Sequence, residues 1–422
     1  MSLPAVNITT QLAREPLPVT GEAQMAYLLV EVRAGAILAD VPRPPLNLAL
    51  VLDRSGSMRG PRLQYMKAAT AAVIDLLTPD DVLSIITYDD MIDLVADAQP
   101  VGDPAVLKAA VEMIEEGGGT AMALGMSLGL AELRRHLGPH SLSRMIVLTD
   151  GPTNGDEEQC RLLATGAGSE GIAIAPLGFG AEWDETLLED IATASGGDPP
   201  EYIRAPGDVI GCFTNQVQTA RGVVIPGLTL DMRFVAGVTP RRVTRVAPFL
   251  RAMDASITDR QIAMHLGDLA LDIPQALLVE IVIEPKRGGN FRIAQIETSS
   301  SAGTEAAMLR SDVVVTFSAS ATKRPQMRPV VLHYVERVNA ARIVWRALAA
   351  TTHEPVAIAP NILALYDFEG REQLERLRAG RPLTPEGRKI LQTKTHALTK
   401  VRRIHPTTTG TTGDEPAKGG GQ

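Results

Sequence analysis

The sequence of 422 residues lacks the cysteines and paired histidines on which disulfide scaffolds and zinc sites depend. Its two cysteines, Cys160 and Cys212, are not in a metal-binding spacing, and we predict two reduced, buried thiols. The seven histidines are scattered along the chain, and no pair of them indicates a catalytic site. Aromatic residues make up only 4% of the chain, so its cores must be built from aliphatic side chains.

Long apolar runs and an excess of basic charge are also missing. No window approaches the ~18 uninterrupted apolar residues of a membrane span, and the N-terminal residues lack the basic start and apolar stretch of a signal peptide. The formal net charge is −8, which argues against a nucleic-acid-binding surface over the whole molecule. We therefore expect a cytoplasmic protein that does not span a membrane and has no nucleic-acid-binding surface over the whole molecule.

Residues 46–222 alternate between strand and helix patterns. The run Leu46 to Leu52 has no polar face, which is typical of a strand buried on both sides in a parallel sheet. Strands that alternate with helices of this length indicate a doubly wound, mostly parallel, Rossmann-like α/β sheet. The predicted strands are 46–52, 81–88, 91–95 at an edge, 144–149, 172–179 and 201–204, and the predicted helices are 61–77, 104–116, 122–137, 156–167, 183–194 and 208–220.

Residues 223–325 show strand patterns without helices between them, which predicts an antiparallel β-sandwich. The alternating segment 25–33 has no place in a parallel sheet. We therefore predict that the N-terminal segment 1–45 adds its strand to the sandwich, and that the α/β domain is inserted within this β domain. The predicted sandwich strands are 228–235, 242–246, 261–266, 276–283, 291–297 and 313–318.

A helical period returns over residues 326–403, with helices predicted at 330–350, 361–379 and 384–403. The last helix has a basic face, which predicts either a plain solvated surface or a contact with an acidic protein or nucleic acid. The low-complexity end, residues 404–422, predicts a disordered tail. The basic residues of the last helix are Arg388, Lys389, Lys394, Lys400, Arg402 and Arg403.

Oxygen-bearing side chains follow the predicted strands and one glycine-rich loop of the α/β segment. Asp53, Ser55 and Ser57 come directly after the first buried strand, Thr120 follows three glycines, and Asp150 ends another strand. Ligands bind outside the carboxyl ends of the strands in an open α/β sheet, so these five side chains could meet at one place. Hard oxygen ligands without His or Cys suit Mg²⁺, Mn²⁺ or Ca²⁺. The sequence therefore predicts a divalent metal site at this edge.

The segments DRSGS, GGT and LTDG that carry these residues resemble, in order and position, the motifs of the von Willebrand factor type A (VWA) domain and its metal-ion-dependent adhesion site (MIDAS). The resemblance implies that Ser55 and Ser57 bind the ion directly, and that Thr120 does so directly or through water. It implies that Asp53 and Asp150 act mainly through waters and that a partner's carboxylate is the last ligand. The flanking segments resemble, more loosely, bacterial relatives of the inter-alpha-trypsin inhibitor heavy chains.

Neutral hydroxyls as direct ligands leave charge on the ion that favours an incoming Asp or Glu. We therefore expect a non-enzymatic interaction module that binds an acidic residue of a partner protein through Mg²⁺. The resemblance implies an adaptor or regulatory role in a bacterial complex, beside an AAA+ ATPase of the MoxR type or in a kinase-linked system. Two alternatives stay open: a metal-dependent hydrolase, in which the ion and carboxylates activate water, and a structural, self-assembling protein.

Each polar residue taken singly also fits a structural role. Ser57 fits a helix cap, and Asp150 fits a turn. Asp89, Asp90 and Asp93, near the end of the second predicted strand, either shape the metal face or form a solvated turn.

Overall fold

Two predicted segments fall outside the part of the chain that the structure describes: the tail 404–422 and positions 400–403 of the last predicted helix. Within the described part, no helix is both long and apolar enough to cross a membrane. The computed structural model describes residues 6–35, 44–138, 141–253, 255–300, 309–319, 325–350 and 354–399.

The first half of the described chain consists of N-terminal strands followed by alternating strands and helices, which confirms the predicted α/β fold. The elements are β1 (Val6–Leu12), β2 (Arg14–Glu15), β3 (Leu17–Pro18), β4 (Gln24–Ala34), β5 (Leu46–Asp53), α1 (Pro61–Leu76), β6 (Val82–Tyr88), β7 (Ile92–Pro100), α2 (Pro104–Glu112), α3 (Met122–Arg134), β8 (Leu142–Thr149), α4 (Glu157–Ser169), β9 (Ala173–Phe179), α5 (Glu185–Ala194), β10 (Glu201–Ile203) and α6 (Asp208–Arg221).

The α/β sheet has the strand order β10-β9-β8-β5-β6-β7, in which β7 is the antiparallel strand. Strand β5 lies between β8 and β6, and each of its residues is buried, as the run without a polar face predicts. Helices α1, α2 and α6 cover one face, and α3, α4 and α5 cover the other. Strand β7 extends beyond the predicted end at residue 95 to Pro100, because it continues to pair with β6 across an irregular register.

The second half of the described chain begins with strands and ends with helices. Its elements are β11 (Val223–Phe234), β12 (Val238–Ala247), β13 (Arg251–Ala252), β14 (Ser256–Ile257), β15 (Gln261–Ala270), β16 (Gln275–Ile283), β17 (Gly289–Ser300), β18 (Leu309–Ser318), β19 (Gln326–Met327), α7 (Pro329–Ala349), α8 (Pro360–Leu363), α9 (Phe368–Arg378) and α10 (Pro385–His396).

These strands form two largely antiparallel sheets around one shared apolar core. One sheet has the order β1-β4-β16-β12-β13, and the other has the order β14-β15-β11-β17-β18-β3. The N-terminal strand β4 pairs with β16 along that strand's whole length, and Leu28 and Val30 of β4 pack into the shared core. This pairing confirms that the α/β domain is inserted in a β-sandwich.

Helix α7 packs on the outer side of the sheet that contains β4 and β16, and the other C-terminal helices pack against α7. Val331, Val338 and Ala341 of α7 share an apolar cluster with Leu278 of β16. The segment predicted as one helix over 361–379 forms two, α8 and α9. The break arises because Asp367 has an extended backbone and caps α9, its carboxylate accepting a hydrogen bond from the amide of Gly370 at 3.1 Å.

The basic face of α10 is partly buried against the α/β domain. Arg388 Nε and Lys389 Nζ lie 2.9 and 3.0 Å from the two carboxylate oxygens of Glu185 at the start of α5. Lys389 is almost fully buried, and its ammonium lies 4.5 Å from the ring centroid of Trp183. These two cations therefore attach the helical region to the α/β domain, and Lys389 does not belong to a solvated face.

Candidate functional site

The five oxygen-bearing residues predicted from the sequence lie at one edge of the α/β sheet, where the parallel strands end. Asp53 is the last residue of β5, and Asp150 directly follows β8. Ser55 and Ser57 lie in the loop between β5 and α1, and Thr120 precedes the start of α3. Hydrogen bonds join four of the five in one network, and Thr120 lies on a loop that is bonded to the same segments.

Ser55, Ser57 and Asp150 form the centre of the site. The two serine Oγ atoms are 3.0 Å apart. Ser57 Oγ donates to Asp150 Oδ1 at 2.6 Å, and Ser55 Oγ lies 3.4 Å from the same atom. Ligands about 2.1 Å from an octahedral Mg²⁺ stand about 3 Å from one another. The three oxygens therefore have the spacing of one face of such a coordination shell.

Asp53 lies next to the triangle of oxygens from Ser55, Ser57 and Asp150. Its Oδ1 accepts a hydrogen bond from the amide of Ser55 at 2.8 Å, and its Oδ2 accepts one from the hydroxyl of Thr149 at 3.0 Å. Burial raises the pKa of Asp53 to about 6, opposed by the hydrogen bonds from Ser55 and Thr149 and helped by the charge of Asp150. A nearby cation would favour the ionised form of this carboxyl and reverse the shift.

Thr120 reaches the same edge on a separate loop. Its carbonyl accepts hydrogen bonds from the hydroxyl of Thr153 at 3.0 Å and from the amide of Asn154 at 2.9 Å. The carbonyl of Gly118 accepts one from the amide of Gly56 at 2.9 Å. These bonds tie the loop to the segments that carry the serines and Asp150. Among the described residues the Thr120 hydroxyl has no hydrogen-bond partner, so it is available to a ligand.

Asp89 supports the glycine loop, residues 117–119, through hydrogen bonds of its carboxylate. Its carboxylate accepts hydrogen bonds from the amides of Met91 at 2.7 Å and Gly118 at 3.1 Å. Burial acts to raise the pKa of Asp89, but these bonds and the charge of Arg54 together hold it below its usual value. A Cβ on Gly117 would lie 1.5 Å from Asp89 Oδ2, so glycine is required there. Asp89 is thus a buried support and not part of a solvated turn.

One charged residue of the site was missed by sequence reasoning. Arg62, the second residue of α1, has its Nη1 2.5 Å from Asp150 Oδ2. Its guanidinium carbon lies 5.2 Å from the ring centroid of Phe179, at the end of β9. Its position in the sequence could have indicated this role, because the first turn of the helix after DRSGS lies at the same sheet edge.

A cation at this edge would depend on hydroxyl oxygens. In the part of the chain covered by the structure, no group of three or more His, Cys, Asp or Glu side chains is arranged to hold a metal. Ser55, Ser57 and Thr120 offer neutral oxygens, and Asp53 and Asp150 offer the negative charge. This donor set fits hard cations such as Mg²⁺ better than soft ones.

Comparison with known sequences gives one family and two kinds of relative. A family model described as the von Willebrand factor type A domain matches residues 47–205. The chain is 31% identical over 300 residues to the uncharacterized protein sll0103 of Synechocystis sp., covering 69% of this chain and 70% of that one. It is 30% identical over 168 residues to the inter-alpha-trypsin inhibitor heavy chain H3 of Mesocricetus auratus, covering 37% of this chain and 19% of that one.

Solved structures extend the likeness to nearly the whole chain. A von Willebrand factor type A protein from Catenulispora acidiphila matches with a TM-score of 0.72 at 16% identity, covering 95% of this chain and 98% of that one. The ArnB paralog VWA2 from Sulfolobus acidocaldarius matches with a TM-score of 0.54 at 12% identity, covering 94% and 99%. At these identities the match shows a shared fold.

Proposed function

We propose, from the premise that this chain belongs to the von Willebrand factor type A domain family, that it binds an acidic side chain of a partner protein through a divalent cation. Domains of this family typically mediate protein–protein interactions. The cation we propose is Mg²⁺, with Mn²⁺ and Ca²⁺ as alternatives. Ser55, Ser57 and Thr120 would hold it, Asp150 would supply the third oxygen of the triangle together with negative charge, and Asp53 would add negative charge next to them.

The observation that carries this proposal is the oxygen triangle at the sheet edge. Ser55, Ser57 and Asp150 place three oxygens 2.6–3.4 Å from one another, and the adjoining loop carries the Thr120 hydroxyl, which has no hydrogen-bond partner in the described part of the chain. When bound, a cation held mainly by neutral hydroxyls supplies a positive charge that attracts a carboxylate from outside. The side chains of this chain position that charge and support it.

The surface around the site suits a protein partner. Met91 is 68% exposed at the end of the β6–β7 turn, next to exposed Asp90. An exposed large apolar side chain beside a charge-binding site offers contact area for a partner's acidic segment.

A binding experiment tests the metal directly. Isothermal titration of the purified chain with Mg²⁺, Mn²⁺ and Ca²⁺ should show one site in the wild type and none in Ser57→Ala. The control is Ser169→Ala, at the end of α4, where the removed hydroxyl bonds only to a local carbonyl in the described structure. Unchanged binding in Ser57→Ala, with both variants folded by circular dichroism, would contradict the proposal.

A capture experiment tests the partner. Wild type in Mg²⁺, wild type in EDTA, Ser57→Ala in Mg²⁺ and Ser169→Ala in Mg²⁺ are used to pull proteins from the native lysate. A protein retained by the first and last samples only is the partner, and we propose that it belongs to a complex in which this chain is an adaptor or regulator, such as one with an AAA+ ATPase of the MoxR type or a kinase. Replacing the partner's acidic residue by its amide must then abolish capture.

A further inference from the structure

Arg62 gives Asp150 a fixed cationic partner. Its Nη1 lies 2.5 Å from Asp150 Oδ2, while Ser57 holds the other carboxylate oxygen. Asp150 has no exposed side-chain surface, and Arg62 is about one third exposed. Among the described residues, Arg62 is the cation that pairs with this carboxylate. The negative charge of the site is therefore already partly neutralised by the chain itself.

Residues from separate parts of the α/β domain position the Arg62 side chain. The guanidinium carbon lies over the ring of Phe179 at 5.2 Å from its centroid. The next residue, Gly180, has a φ of 72°, and a Cβ there would lie 3.2 Å from Arg62 Nη2. A side chain at residue 180 would thus crowd the guanidinium as well as strain the backbone. Helix α1 and the end of β9 together hold this cation at the site.

The other arginines around the site are occupied elsewhere. Arg54 pairs with Asp93 at 2.7 Å and lies 3.5 Å from Asp89. Arg59, on the loop before α1, pairs with Glu116 at 3.1 Å and is largely exposed. Neither shares a hydrogen bond or ion pair with Asp150 in the described structure. The contact of Arg62 with Asp150 is therefore specific to that arginine.

We propose that Arg62 is an internal counter-cation that competes with the divalent ion for Asp150. Resting on the proposed metal-binding function, this inference assigns its regulation to one residue. In the metal-free chain the guanidinium neutralises the buried carboxylate. A divalent ion at the serine oxygens meets a positive charge a few ångströms away, and two such charges repel strongly in a partly buried site. Metal loading is then coupled to the position of Arg62, and the affinity for the ion is kept low.

The test compares metal affinity and metal-free stability in matched variants. Arg62→Gln removes the charge and keeps hydrogen-bonding capacity, Arg62→Lys keeps the charge, and Arg59→Gln removes a charge nearby that does not contact Asp150. Titration calorimetry with Mg²⁺ and Mn²⁺ should show binding at least about tenfold tighter in Arg62→Gln, and within about threefold of wild type in Arg62→Lys and Arg59→Gln. In EDTA, Arg62→Gln should melt at a lower temperature than wild type, because a buried carboxylate has lost its counter-charge.

The outcomes separate this inference from the proposed function. If wild type binds metal and Arg62→Gln binds equally or more weakly, the role of Arg62 is wrong and the metal site stands. If Arg59→Gln tightens binding as much as Arg62→Gln, the effect comes from net charge, and the specific contact is refuted. If neither wild type nor Arg62→Gln binds either ion, both the inference and the proposed function fail.

Discussion

The two edges of the α/β sheet each hold a buried carboxylate, but the carboxylates have different partners. At the amino-terminal edge, Asp81 accepts hydrogen bonds from the amides of Leu46 and Thr78 at 2.8 and 2.7 Å, from the Thr78 hydroxyl at 2.9 Å and from Arg221 at 2.6 Å. At the opposite edge, the carboxylate of Asp150 is held by side chains, Ser57 and Arg62. We call the first edge closed, because two backbone amides help to fix its carboxylate, and the second edge open, because side chains alone hold its carboxylate.

This difference corresponds to the place of each carboxylate in the fold. Leu46 begins the α/β domain and Arg221 ends its last helix, so Asp81 ties together the two places where the chain enters and leaves the domain. Hydroxyls can rotate to offer a lone pair to a cation, whereas backbone amides can only donate. The serine hydroxyls bonded to Asp150 can therefore exchange these bonds for a ligand, and the two amides bonded to Asp81 cannot.

The largest expected effect comes from breaking the closed edge. Asp81→Ala leaves buried donors and Arg221 without their acceptor, and we expect a loss of about 3–5 kcal/mol in the free energy of unfolding. Urea unfolding followed by circular dichroism, in Mg²⁺ and in EDTA, measures it. The loss should be the same in both buffers, because this edge has no part in metal binding. Asp80→Ala, at the exposed neighbouring position, is the control and should change stability by less than about 0.5 kcal/mol.

The next largest expected effect is a pH dependence of the folding stability, which arises from Asp53 at the open edge. Because burial raises the pKa of Asp53 to about 6 from 3.8, the folded chain binds this proton more tightly than the unfolded chain. Its contribution to stability is therefore complete below about pH 4 and is lost as the pH rises to about 6. For a shift of about two units this amounts to about 3 kcal/mol.

The measurement for Asp53 is the free energy of unfolding in EDTA from pH 4 to pH 7, for wild type and Asp53→Asn. The difference between the two proteins should grow in favour of Asp53→Asn as the pH rises, because the amide never ionises. Parallel pH profiles for the two proteins would show that Asp53 is not the titrating group.

A side chain added to the glycine loop should destabilise the open edge, because it displaces Asp89, which supports this loop. Gly117→Ala places a Cβ against the Asp89 carboxylate, and we expect a loss of about 1–3 kcal/mol in unfolding free energy together with weaker metal binding. Gly166→Ala in α4 is the matched control, since its Cβ meets nothing within 4 Å, and it should be neutral or stabilising by up to about 1 kcal/mol. Full stability and full metal affinity in Gly117→Ala would contradict the structural role of this loop.

The sequence predicts the fold and the placement of the oxygen side chains for a simple physical reason. A strand such as β5, with apolar residues on both faces, must be central, and the polar residue that ends it must lie at the sheet edge. The position of Asp53, Ser55, Ser57 and Asp150 follows from that. The break before α9 was not predicted, because the capping bond of Asp367 competes with a helical pattern that continues through it.

Long-range ion pairs lie outside what sequence patterns can predict. Arg62 and Asp150 are far apart along the chain, as are Lys389 and Glu185, and nothing in their local sequence indicates the pairing. A basic face on a helix such as α10, taken alone, predicts a solvated surface. Only the packed structure shows that Lys389 is buried against Trp183. The edge strand β1 was also missed, since its pattern of half-exposed polar residues is weak and its pairing with β4 defines it.

The smallest effect on stability should come from Thr120, and it separates folding from ligand binding most cleanly. Thr120→Val removes a hydroxyl that has no hydrogen-bond partner among the described residues, so the free energy of unfolding in EDTA should change by less than about 0.5 kcal/mol. Its metal affinity should fall on the order of tenfold, which equals about 1.4 kcal/mol. Thr165→Val, on the exposed side of α4, is the control and should bind metal as the wild type does. A Thr120→Val chain with unchanged affinity would remove the glycine loop from the site and leave the oxygens of Ser55, Ser57 and Asp150 as its whole protein contribution.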